Sequence, residues 1–198
     1  MINRLILLTP MLLFGMGGSY LLYVFLKPGN EGRVFDNLVP ELIGFCLEGF
    51  FLIGLFSLLQ RRREQERRHE LRQSLRGALR EILSHIDIGL LHENEEPADS
   101  RALEEDPKVV AFLFKKFMAN PPLDLDAMAR LKAVAARNLT TVHDLIPVAA
   151  QLSAKHIRWW LAITDSVRHL SEATDRSAVN ASLHQFMASL GEFDDLEL

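Results

Sequence analysis

The stretch LIGFCLEGFFLIGLFSLLQRRR at residues 42–63 decides how this chain is read. Its first 18 residues hold one charged group, Glu48, among twelve Leu, Ile and Phe side chains. As a helix, 18 residues rise about 27 Å, close to the hydrocarbon thickness of about 30 Å. The twelve apolar side chains favour insertion by about 4–7 kcal/mol in sum, against about 3 kcal/mol for one central acid. Arg61, Arg62 and Arg63 follow almost at once and read as a stop signal. Upstream, residues 5–26 form an uncharged run of 22 residues, about 33 Å as a helix. It is too long for the apolar core of a cleavable signal, which covers about 7–15 residues, so an uncleaved span is expected. The two runs predict a transmembrane hairpin, spans 5–26 and 42–59, with an outward loop at 27–41 built on Pro28, Gly29, Asn30 and Gly32.

Orientation follows from the basic residues. Arg61, Arg62, Arg63, Arg67 and Arg68 flank the second span, whereas the loop carries only Lys27 and Arg33. Both termini are therefore expected in the cytoplasm. The formal net charge of −4 argues against general nucleic-acid binding, and the clustered arginines are better explained by the anionic lipid beside them. The one cysteine, Cys46, lies inside the second span and excludes an intramolecular disulfide.

Glu41, Gly44 and Glu48 share one face of the second span. In an antiparallel hairpin Glu48 is expected to meet the first span near Gly15 and Ser19, a small pair four residues apart that lets helices approach closely. Glu48 is then a packing residue, part of an ion or proton path, or a contact for another membrane protein. Tyr20 and Tyr23 read as interfacial anchors, and Pro10 as the site of a mild kink.

Beyond the spans the pattern stays helical. Leu71, Leu75, Leu79, Ile82, Ile86 and Leu90 recur at intervals of three and four, predicting a basic stalk helix over 61–91 that continues into a bundle. Residues 92–106 hold seven acidic residues against Arg101 and read as an exposed acidic linker. Asp106 and Pro107 mark a helix start. The helix after them carries Phe112, Phe114 and Phe117 almost all round and is either central or an interface. Asp124 or Asp126 opens a further helix, Pro147 divides it from the next, and Asp175 opens the last, with Gly191 closing it. Trp159 and Trp160 are adjacent, so one faces the core and the other is free for a partner or the headgroup region. Strand signals are absent. The fold class is all-α: the two-helix transmembrane hairpin followed by a cytoplasmic bundle of about five helices at 107–191 and an acidic tail at 192–198.

No catalytic constellation, glycine-rich phosphate loop or metal-ligand spacing is present. His85 and His92, seven apart, and His143 beside Asp144 read as surface groups. No cofactor or metal is expected, nor an enzyme. Asn37, Leu38, Glu41, Leu42, Ile43 and Gly44, with the arginine-rich exit of the second span, resemble a broad set of uncharacterised bacterial two-span membrane proteins with helical cytoplasmic tails. The likeness covers residues 36–85. It implies the bacterial inner membrane, supplies no activity and has no counterpart for Glu48. The chain is expected to be a membrane-tethered interaction protein that recruits a cytoplasmic protein, with the lipid bilayer and further copies of itself as its other partners. The alternative is an oligomeric, ion-conducting or membrane-damaging assembly that uses Glu48.

Overall fold

A computed structural model describes residues 2–27, 33–91, 95–119 and 123–196. Helices are the only regular elements among them: α1 (Ile2–Leu26), α2 (Arg33–Gly89), α3 (Ser100–Glu105), α4 (Pro107–Ala119), α5 (Leu125–Asp144), α6 (Ile146–Leu152), α7 (Ala154–Glu172) and α8 (Arg176–Asp194). The chain divides into two compact units, Met1–Glu66 and Arg67–Leu198.

In the first unit α1 and the start of α2 run antiparallel, because later positions on one meet earlier positions on the other. Gly18 lies against Cys46, Gly15 against Phe50, and Gly49 against Phe14. The glycines admit the partner's aromatic rings: a Cβ on Gly49 would stand 2.8 Å from the Phe14 ring. Phe14 also meets Phe45 edge to face at 5.7 Å. Both helices are long and apolar enough to cross a membrane. The loop expected at 27–41 is shorter than its composition suggested, since α2 begins at Arg33 and carries Pro40 inside it. Residues 28–32 lie outside the described residues.

The second unit is built round a continuous apolar core. The predicted stripe on α2 is buried from Leu75 onward, joined by Leu83, while Leu71 packs partly against it. Helix α7 packs against α5, α6 and α8, and α4 against α3 and α8. The starts are set by side-chain caps: Asp124 accepts from Ala127 N, Ser153 from Lys155 N and His156 N, and Asp175 from Ala178 N. The Asp106 carboxylate accepts from Lys108 N at 2.9 Å beside Pro107, the start predicted for α4.

Two expectations are corrected here. The acidic stretch at 92–106 is not wholly an exposed linker, because residues 100–105 form α3 with Leu103 fully buried. Ahead of it Ala98 N donates to the buried Asp87 at 2.6 Å. Residues 92–94 lie outside the described residues. Gly191 does not close the last helix: α8 runs through it to Asp194, drawn on by the buried Phe193.

Candidate functional site

In the first unit the acidic face lies elsewhere than expected. Glu48 is exposed. Phe45, Cys46, Gly49 and Phe50 line the contact of α2 with α1, and Gly15 receives Phe50. Ser19 is exposed and has already committed its hydroxyl to Gly15 O at 2.8 Å, leaving no donor there for a carboxylate. Glu41 and Glu48 are exposed, and a Cβ on Gly44 would meet nothing within 4 Å. The three therefore share the face of α2 turned away from α1.

Of the arginines, Arg61, Arg62, Arg63 and Arg67 are exposed and Arg68 partly so. Arg67 donates to Gln151 Oε1 at 2.7 Å. Arg72 and Arg76, by contrast, are not surface charge for lipid. Arg76 is buried, donating through Nε to Glu104 O at 2.6 Å, through Nη2 to Leu103 O at 3.0 Å, and through Nη1 to the Asp194 carboxylate. Arg72 donates to the carbonyls of Asp194 and Leu196 and lies 5.9 Å from the Phe193 ring centre. Both guanidiniums thus serve the last carbonyls of α3 and α8, where a helix leaves acceptors unsatisfied and favours positive charge. Burial pushes the Asp194 carboxyl above its usual range, and the Arg76 contact opposes this without overcoming it. A stalk counted from sequence as uniformly basic loses these two charges to the interior.

Close by, His156 is 2 % exposed and stands edge-on to Phe193 at 5.3 Å. Its Nδ1 lies 2.8 Å from Ser153 Oγ. That oxygen already accepts two backbone N–H groups, so the hydrogen-bond network assigns the hydroxyl proton to Nδ1 and the ring's own proton to Nε2. Nε2 has no hydrogen-bond partner among the described residues. Burial, reinforced by the charges of Arg72 and Arg68, holds His156 below the usual histidine range. Sequence gave no sign of this residue, because its burial is set by Phe193 at the far end of α8.

The aromatic candidates separate. Trp160 is fully buried and donates from Nε1 to Val142 O at 3.0 Å, so it is core and no partner contact. Trp159 packs at the edge of the core with Arg158 over its ring at 5.6 Å. Phe114 and Phe117 are partly buried against the core, Phe114 edge-on to His184. Only Phe112 points outward, 64 % exposed, on a face of α4 shared with Lys108, Lys115 and the exposed Met118. A second surface feature is a shallow groove lined by Leu139, Ile146 and Leu161 with His143, Asp165 and Arg168 at its rim. Among the described residues no three His, Cys, Asp or Glu side chains lie close enough to hold a metal ion.

The features define an all-helical protein with two helices fit to cross a membrane and a separately cored helical unit. No family model, curated protein or solved structure matches the chain.

Proposed function

We propose that this chain is a membrane-tethered interaction protein of the bacterial inner membrane, whose cytoplasmic helical bundle recruits a protein partner. Helices α1 and the first part of α2 form the transmembrane hairpin, with both termini on the cytoplasmic side by the excess of arginine at 61–68. One observation carries this reading: α2 is a single helix whose apolar residues Phe45, Phe51, Leu55 and Phe56 are exposed and whose Leu75, Leu79, Ile82 and Ile86 are buried. The surface offered to the partner is the outer face of α4, where Lys108 and Lys115 run along the helix between the exposed Phe112 on one side and Met118 on the other. Aromatic and Met side chains ringed by polar groups are the usual composition of an interface centre, and the lysines suit an acidic rim on the partner. The test is a pull-down of the intact protein from native membranes beside a Phe112→Asp, Met118→Asp variant of equal abundance. A protein captured by the first and lost by the second is expected; identical captures would reject the α4 face.

The ion-conducting reading draws on a separate observation, the outward placement of Glu41 and Glu48. Membrane depolarisation by the intact protein that disappears in Glu48→Ala supports it. Unchanged potential with both rejects it.

A further inference from the structure

We infer that a second copy of this chain packs against the face of α2 opposite α1, with Glu48 paired to its own symmetry mate across the contact. The inference rests on reading α1 and α2 as membrane spans. At about 100° per residue, Gly44, Phe51 and Leu55 lie about 150° or more, and Glu48 about 130°, around the axis from the mean direction of Phe45, Cys46, Gly49 and Phe50, which meet α1. The hairpin cannot cover them itself. Glu41, Gly44, Glu48, Phe51, Leu55 and Leu58 alternate at three and four, the spacing of a seam between parallel helices. Two copies inserted in the same orientation present this seam in parallel. Phe51, Leu55 and Leu58 are 68 %, 55 % and 60 % exposed and stand as unseated knobs.

Lipid is a poor occupant of this face. An acidic group at mid-span costs about 3 kcal/mol or more when it faces hydrocarbon, and such groups turn toward protein or water. A copy of the same face answers the need with no other group required. In its neutral form a carboxyl is donor and acceptor at once, so two Glu48 side chains related by a two-fold axis satisfy each other. Gly44, one turn away, has open space where a Cβ would stand. That lets the two backbones approach closely enough for the carboxyls to meet.

The experiment is oxidative cross-linking of the full-length protein in native membranes. Phe51→Cys and Leu55→Cys, each in a Cys46→Ser background, are compared with the unaltered chain, whose Cys46 faces α1. The seam cysteines are expected to give a species of twice the chain mass, and Cys46 none. Adding Glu48→Leu to Leu55→Cys is expected to lower the dimer yield several-fold, and Glu48→Gln, which keeps a donor and an acceptor, to retain it. Equal dimer from Cys46, no dimer at the seam, or an adduct of another mass would overturn the second copy as occupant. Alkaline extraction separates the two premises. Release of the protein by alkali would overturn the spans and the seam together, whereas an integral protein without seam cross-links overturns the seam alone.

Discussion

Residues 45–59 and residues 75–90 lie on one helix, yet they spend their apolar side chains in opposite ways. In the first stretch Phe45, Phe51 and Phe56 are all more than 60 % exposed. In the second, Leu75, Leu79, Ile82 and Ile86 are wholly buried. Glycines make close approaches in both units: Gly15, Gly18 and Gly49 where α1 meets α2, and Gly89 against Leu123 and Ala127 in the second. Apolarity alone therefore says little about which side of a helix is inside. Where water is the solvent, burial drives packing. Where lipid is the solvent, close approach of small residues replaces it.

The sharpest way to break this contrast is to make the same cut in both regions. Trp160→Ala is expected to cost about 3–5 kcal/mol by removing a buried ring and its hydrogen bond. Phe56→Ala, an exposed ring, should change stability by less than about 0.5 kcal/mol. Urea unfolding of the intact protein in mild detergent, followed by far-ultraviolet circular dichroism, reads both. Equal losses would erase the distinction. Next in size is Asp194→Ala, expected to cost about 3 kcal/mol because it leaves Arg76 buried without its counter-charge. Adding Arg76→Leu should recover part of that loss in the same assay.

A smaller effect follows from His156. Its folded pKa lies below the ordinary value, so the unfolded chain takes up the proton first as pH falls. Stability should be complete above the ordinary histidine range and decline as pH drops from about 7.5 to about 5.5. Denaturation midpoints at those two values should differ in the unaltered chain and converge in His156→Phe. Asp194 works with the opposite sign: its raised pKa lowers stability as pH rises from the usual carboxylate range through the folded value. The smallest effect separates two glycines. Gly191→Ala places a methyl in open space within α8 and should add about 0.5–1 kcal/mol. Gly49→Ala drives a methyl into the Phe14 ring and should lower the thermal stability of the hairpin.

The apolar runs, the α2 stripe and the helix starts at Asp106, Asp124 and Asp175 were legible because each is written within a few residues of itself. The side on which Glu48 falls was not legible. Periodicity defines a face, and only the register between α1 and α2 says what that face meets. Helix α3 escaped notice because six residues rich in Glu show no apolar period; Leu103 and the guanidinium of Arg76 hold it in place. The inward turn of Arg72 and Arg76, the burial of His156 and the burial of Asp194 all depend on the last turn of α8, far along the chain.

That last turn also sets an order of manufacture. Arg76 meets Asp194 across 118 residues of sequence, so a nascent chain exposes the Leu75 to Leu90 stripe long before its closing residues exist. Until Phe193 is made, Trp160 and His156 lack the ring they pack against. A chain released by premature termination a few codons short of residue 193 would carry α1, α2 and most of its other helices, yet present an open apolar seam to chaperones and proteases. Synthesis of Phe193 and Asp194, rather than formation of any single helix, is the event that closes the bundle.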